Sequence, residues 1–453
     1  MLRKGFQILF AVVFLWGAVA PVFGPGAAAV DSRLPDQKPE QCIENPKRSG
    51  ASGSPTVLGK VSHTGANVTI TYSLLEENSS GSTLQVNLPQ GSDLVSQTGF
   101  QTATFGTGLY WNNSSSTHSI TYRMASRETP SGREVTYSHA QQWVVAGAPD
   151  HHFASVELSP VGSGYIGGNI LYLGQYNTKT RQVGCQEFVV VVPSDARMFD
   201  TDGRLDELES AATALPVGHK YKTVRVFVSP KDLGDAGGFV PNGQNEIVLI
   251  DNPTPGYAPV LWMHEYIHTV QGFESKPELS WVTEGSATYL SLRVAVEHGE
   301  ISPRSYDYYL RRGVREFDTS MIGAQAAPVA YRRGAVVLSI LDRELWTTYD
   351  RSVVGLLAEL NQDPNPGTTD IVRWLRDDVR MDAHGAEHTV QLVEDGEVLH
   401  PPLILTESDT PDGLLLLLSL FSAPVVRGLS MFLGISGVVA YVYSERFESE
   451  GES

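Results

Sequence analysis

The sequence contains little cysteine and few basic residues. Its 453 residues include two cysteines, Cys42 and Cys185, and no C-x-x-C pair, which argues against a thiolate metal site. If the chain is exported, the two cysteines form one disulfide or remain two separate thiols. Lysine and arginine total 33 against 51 acidic residues, for a net charge of −18. Nucleic acids and anionic membrane surfaces bind basic faces, so neither is an expected partner.

Lysine is the scarcer of the two basic residues, with nine of the 33. An acid-rich, lysine-poor composition resembles that of halophilic proteins, in which salt screens the self-repulsion of the surface. An ordinary acidic extracellular protein is the alternative. The length is too great for one ordinary core and predicts two or three domains.

Long apolar runs occur only near the two ends of the chain. At the start, Arg3 and Lys4 precede an apolar run over 6–23, and small residues follow up to Ala29. This order predicts a secretory signal peptide over 1–29, with an uncleaved anchor as the alternative.

The second apolar run extends from Leu414 to Tyr443 and is interrupted by Pro424 and Arg427. It reaches the ~20 residues needed to span a bilayer only if Arg427 lies within the span. We expect a single membrane anchor over 413–443, and a buried helical hairpin is the alternative. The chain is then a cell-surface protein with its main domains outside the cell.

Between these ends the pattern predicts an α+β protein. Short alternating runs such as 67–72, separated by turn residues, indicate a β-rich, sandwich-like domain. Further strands at 187–193, 224–228 and 246–250 and a helix at 205–215 follow, and the chain is mostly helical from Pro259 to Asp378. The predicted segments are a signal peptide (1–29), a linker (30–55), the β-rich domain (56–192), a mostly helical domain (193–380), a polar connector (381–412), the anchor (413–443) and a tail (444–453).

The helical domain contains the motif H-E-x-x-H, from His264 to His268. Two histidines four residues apart project from one helix face, one turn apart, where both imidazoles can bind one zinc ion. Glu265 is displaced by about 100° around the helix, so it can reach water at the metal without being a ligand. Its predicted role is that of a general base.

A second motif supplies a third candidate ligand. Sixteen residues after His268, Glu284 lies in the run W-V-T-E-G-S-A-T-Y, which begins another helix. Glu284 would complete a His₂Glu zinc site with one open position. Thr288 and Ser291 lie on the same face and are candidates for contacts with the ligands. The alternative for Glu284 is an ordinary glutamate that stabilises a helix start.

H-E-x-x-H followed by W-x-x-E-G-x-A-x-Y resembles the gluzincin metallopeptidases, especially the aminopeptidase-type and peptidase-MA-like families. The resemblance covers roughly residues 190–375 and implies a thermolysin-like, mostly helical zinc metallopeptidase domain. It implies the ligands His264, His268 and Glu284, with Glu265 as catalytic base.

The same resemblance extends to one further segment, whereas another element of the family is not clear. Y-R-R-G, from Tyr331 to Gly334, is similar to the Y-x-K-G segment in which the tyrosine stabilises the oxyanion, although Arg333 stands where that family has lysine. Tyr331 as a core tyrosine is the alternative. The family's amine-binding strand has only a weak counterpart in 243–246, where Glu246 is either the amine ligand or an ordinary strand residue.

The predicted function is that of an exported, membrane-anchored zinc metallopeptidase acting on peptide or protein substrates; aminopeptidase and endopeptidase both remain open. Two rival hypotheses are a catalytically inactive surface binding protein and a zinc hydrolase acting on a non-peptide bond. Oligomeric state is not encoded in any of these motifs.

Overall fold

The computed structural model describes most of the chain between residues 42 and 387. The described residues are 42–45, 56–75, 84–102, 108–111, 117–128, 134–197, 200–231, 233, 237–241, 245–251, 258–273, 276–314 and 327–387. The predicted signal peptide, anchor and tail lie outside them. Among the described residues, no helix combines the length and apolar character that crossing a membrane requires.

The first part of the described chain is built from strands. They are β1 (Val57–Thr64), β2 (Asn67–Leu74), β3 (Gln85–Asn87), β4 (Ser92–Thr98), β5 (Phe100–Thr102), β6 (Gly108–Trp111), β7 (His118–Met124), β8 (Ser126–Glu128), β9 (Glu134–Thr136), β10 (Val144–Gly147), β11 (Asp150–His152), β12 (Val156–Pro160), β13 (Gly164–Ile166) and β14 (Ile170–Leu173).

These strands form three sheets and the hairpin β8–β9. The five-stranded sheet has the order β12-β1-β2-β7-β4 and is antiparallel except between β1 and β12. The other two have the orders β11-β3-β6-β5 and β10-β14-β13. In β2 the alternation predicted over 67–72 is confirmed, because Val68, Ile70 and Tyr72 are buried and the residues between them are more exposed.

The second part combines one sheet with the helices. Its strands are β15 (Tyr176–Val183), β16 (Gln186–Pro193), β17 (Thr223–Ser229), β18 (Gly238–Phe239) and β19 (Glu246–Ile250). The α-helices are α1 (Thr201–Ala214), α2 (Ala258–Val270), α3 (Ser280–Glu297), α4 (Pro303–Val314), α5 (Ala327–Glu344), α6 (Val353–Leu360) and α7 (Thr368–Asp377). A 3₁₀ turn (Pro277–Leu279) precedes α3, and a π-helical turn (Leu345–Tyr349) follows α5. A sheet-rich first part and a helical second part confirm the predicted α+β class.

The sheet of the second part has the order β15-β16-β17-β19-β18, with β16, β17 and β19 parallel. Its middle strands are covered on both faces. In β16, Phe188 and Val190 pack into the core formed with the helices, whereas Val191 packs into the core of the β-rich part. Burial on both faces explains why β16 and β19 read as continuous apolar runs.

This sheet begins at Tyr176, before residue 193, where the sequence had suggested a domain limit. Cys185 lies in the turn between β15 and β16 and forms a disulfide with Cys42. Next to it, the backbone of Ile43 exchanges hydrogen bonds with Lys220 and Lys222 at 2.7 and 2.9 Å. The segment 42–45 is therefore attached to the second part of the chain by the disulfide and by the backbone hydrogen bonds of Ile43.

Candidate metal centre

The two histidines of the H-E-x-x-H motif lie on α2, a helix buried on nearly every side. Trp262, Met263 and Ile267 on this helix are at most 1% exposed. Tyr266 is also buried, and its hydroxyl donates a hydrogen bond of 2.7 Å to Gln186 Oε1 on β16. A helix that is apolar around its circumference is a core helix, so the position of the histidines is set by packing rather than by a loop.

The three predicted ligands converge. His264 Nε2 lies 3.1 Å from His268 Nε2, and Glu284 Oε2 lies 3.5 and 3.3 Å from these two nitrogens. Tetrahedral zinc with bonds near 2.0–2.1 Å places its ligand atoms about 3.3–3.4 Å apart. The three separations match that spacing, and this is the only group of three or more such side chains found among the described residues that could hold a metal ion.

The electrostatics of the three side chains favour a cation between them. Burial lowers the pKa of His268, but the negative charge of Glu284 outweighs it and raises that pKa to about 9. Burial raises the pKa of Glu284. The charge of His268 and the hydrogen bonds from both histidines have the larger effect and hold that pKa below its ordinary value. The cluster thus stabilises a positive charge, which either a proton or a metal ion can supply.

Thr288 lies beside His264, the first candidate ligand, as its position on the face of Glu284 suggested. Its hydroxyl is 3.4 Å from His264 Nδ1. A contact at this nitrogen leaves Nε2 directed at the metal position. Ser291 does not make such a contact, because its hydroxyl donates to the carbonyl of Thr288 on its own helix.

Gln271 is a functional candidate that no sequence motif indicated. It follows α2 directly, is 4% exposed, and its Oε1 lies 2.8 Å from His268 Nδ1. Its Nε2 donates to Thr283 O and Ser286 Oγ on α3. The sequence offered one signal for Gln271. A side chain with a hydrogen-bond acceptor stands three residues after His268, close enough to reach Nδ1 of that histidine.

Glu265 is 5% exposed and lies next to β18, the last strand in the order of the sheet. A Cβ atom added to Gly238 of β18 would come within 2.9 Å of Glu265 Cγ. The absence of a side chain at Gly238 therefore lets the strand backbone approach the predicted base closely.

Tyr331 on α5 reaches the same centre. Its ring is stacked on the imidazole of His264, with centroids 5.5 Å apart and planes 10° apart. Arg333, which stands where the gluzincin pattern has lysine, is fully buried, and burial lowers its pKa. Tyr331 is thus the member of the Y-R-R-G segment that lies at the candidate metal centre.

Glu246 is not part of this centre, and of the two alternatives the structure favours an ordinary strand residue with no amine role. The residue is fully buried, and its carboxylate accepts hydrogen bonds from the backbone N–H groups of Gly168, Asn169 and Ile170. Its Oε1 also lies 3.7 Å from Arg225 Nη1. Through these contacts the Glu246 carboxylate joins β19 to the β-rich part of the chain. The strand that lies against Glu265 is instead β18.

No protein-family model matches the chain, and no curated protein matches its sequence. Solved structures do match. An aminopeptidase N family protein from Idiomarina loihiensis aligns with a TM-score of 0.52 and 11% identity, over 77% of each chain. A variant of an M1 zinc metallopeptidase from Deinococcus radiodurans aligns with a TM-score of 0.50 and 12% identity, over 80% of this chain and 96% of that chain. The chain shares their fold. The gluzincin resemblance read from the motifs is confirmed at that level.

Proposed function

We propose that the chain is a zinc metallopeptidase that hydrolyses peptide bonds, with His264, His268 and Glu284 as zinc ligands. The observation that carries the proposal is the spacing of 3.1–3.5 Å among the three donor atoms in a buried site. Two imidazoles and one carboxylate are a donor set typical of catalytic zinc, because three protein ligands leave one position open.

Glu265 and Tyr331 have separate roles in the proposed reaction. A bound zinc ion supplies Lewis acidity, which polarises the scissile carbonyl and makes a water molecule acidic near neutral pH. Glu265 accepts the proton from the attacking water and delivers it to the leaving amine nitrogen. Tyr331 donates a hydrogen bond to the carbonyl oxygen as negative charge develops there.

A peptide is the proposed substrate for two reasons. Of the two solved structures named above, one is a zinc metallopeptidase and the other an aminopeptidase N family protein. In addition, β18 is the last strand in the sheet order, and Gly238 on it adjoins Glu265. An extended peptide that pairs with an edge strand would present its carbonyl groups along this side of the centre.

We also propose export and membrane anchoring through the apolar segments at 1–29 and 413–443. The disulfide between Cys42 and Cys185 supports export, because such bonds persist in oxidising compartments. Fractionation of cells expressing the full chain tests this part: we expect it in the membrane fraction and accessible to added protease. Recovery in the cytosol would contradict it.

The enzymatic proposal is tested with the purified full chain. We expect one zinc ion per chain and turnover of at least one member of a peptide panel that includes free and acetylated N-termini. Glu265→Gln should retain zinc and lose about 10²–10⁴-fold in kcat, because the ligands remain and the base is removed.

Each rival hypothesis predicts a different result. Absence of zinc from the wild-type chain would indicate an inactive binding protein. Bound zinc without turnover of any peptide would indicate a hydrolase for another bond. Full activity of Glu265→Gln would remove the assigned base.

A further inference from the structure

Gln271 connects the two helices that carry the proposed zinc ligands. It lies directly after α2 and is 4% exposed. Its amide nitrogen donates to Thr283 O at 2.8 Å and to Ser286 Oγ at 2.9 Å, both on α3. Both N–H groups of the amide are therefore used on α3, and the amide oxygen faces the other way, towards α2.

These contacts fix the orientation of the amide. In the opposite orientation the amide oxygen would face the carbonyl oxygen of Thr283, and neither atom has a hydrogen to donate. With the orientation settled, Gln271 Oε1 lies 2.8 Å from His268 Nδ1 and can only accept. His268 Nδ1 must then be the protonated nitrogen, and the lone pair of neutral His268 is on Nε2.

His268 Nε2 is the atom that faces the other two ligands, 3.1 Å from His264 Nε2 and 3.3 Å from Glu284 Oε2. We infer that Gln271 is a positioning residue, which holds His268 in the tautomer and ring orientation required for zinc. The inference rests on the proposed function, since it assigns Gln271 a role towards the same metal. A partner on the outer nitrogen of a ligand histidine typically changes metal affinity by about 10- to 100-fold.

The test compares two substitutions of similar size in the full chain. Gln271→Met removes the acceptor, so zinc affinity measured by chelator competition should fall about 10- to 100-fold. Gln271→Glu keeps an oxygen acceptor for His268 but turns its second oxygen towards Thr283 O, so it should bind zinc within a few-fold of wild type while unfolding at a lower temperature. The visible spectrum of the cobalt-substituted chain should change in the Met variant and be retained in the Glu variant.

Ser286→Ala separates positioning of His268 from simple tethering of the helices. It removes one hydrogen bond between Gln271 and α3 and leaves the contact with His268 in place. We expect wild-type zinc affinity and an unchanged cobalt spectrum. Thermal unfolding of the metal-free variants establishes that each is folded.

Three outcomes would overturn the inference while leaving the proposed function intact: wild-type zinc affinity in Gln271→Met, equal losses in the Met and Glu variants, or a comparable loss in Ser286→Ala. The last two would make Gln271 a structural tether. If the wild-type chain binds no zinc, the proposed function and this inference fail together.

Discussion

Gly285 on α3 and Gly334 on α5 pack backbone against backbone. A Cβ atom added to Gly285 would lie 2.7 Å from the Cα of Gly334, and one added to Gly334 would lie 2.9 Å from the Cα of Gly285. Glu284 adjoins the first glycine, and Tyr331 lies about one turn before the second. The helix crossing at these glycines therefore sets the distance between a proposed zinc ligand and the proposed oxyanion donor.

Gly334→Ala should force the two helices apart, because the added methyl group meets backbone atoms of Trp281 and Gly285 that cannot rotate away. We expect a loss of about 1–3 kcal/mol in the free energy of unfolding. We also expect a reduced kcat, because Tyr331 moves relative to the ligands. Chemical denaturation and steady-state kinetics measure the two effects.

Gly355→Ala on α6 is the matched control. A Cβ atom there would meet the Trp374 ring at 3.4 Å, an ordinary contact. The control should be neutral or stabilising by about 0.4–1 kcal/mol, since alanine restricts the unfolded chain. If Gly334→Ala matches Gly355→Ala in stability and kcat, the helix crossing does not control the site.

Tyr331→Phe isolates the hydroxyl group from the ring. The phenyl ring can keep the stacking on His264, so zinc affinity and thermal stability should remain at wild-type levels. Loss of one oxyanion donor typically costs about 10²–10³ in kcat. We expect a loss of that size with little change in KM. An unchanged kcat would make Tyr331 a packing residue at the side of His264.

The convergence of His264, His268 and Glu284 was predictable because it follows from short-range spacing in the sequence. His264 and His268 lie one helical turn apart whatever the surrounding fold, and Glu284 follows within a recognisable helix start. Strands with a continuous apolar run were also predictable, among them β19, which the sequence predicted at 246–250. These features depend on local sequence, so the tertiary structure did not alter them.

Gln271 and Glu246 show why other parts were not predictable. Gln271 acts through Thr283 and Ser286, which approach it only when α3 folds back against α2. Glu246 was a weak candidate for the amine ligand, because 243–246 is the stretch nearest in pattern to the family's amine-binding strand. In the folded chain Glu246 lies on β19, and its carboxylate contacts the backbone of residues 168–170. The strand beside Glu265 is the two-residue strand β18. Pairing between distant segments decides both cases.

Glu246→Gln tests the structural role assigned to this residue. The substitution places an NH₂ group or a neutral oxygen against backbone donors from Gly168, Asn169 and Ile170. Each buried donor left unpaired costs about 1–3 kcal/mol, so the free energy of unfolding should fall clearly. Glu187→Gln, at an exposed position on β16, is the control and should change stability by less than about 0.5 kcal/mol.

Kinetics on the folded Glu246→Gln chain distinguish this role from amine binding. A carboxylate that binds the substrate's free amine would, when neutralised, raise KM for peptides with a free N-terminus and leave KM for acetylated peptides unchanged. Because the Glu246 carboxylate is fully buried and engaged by three backbone donors, we expect the ratio of the two KM values to match that of wild type. A selective rise for free N-termini, without loss of stability, would restore Glu246 to the substrate site.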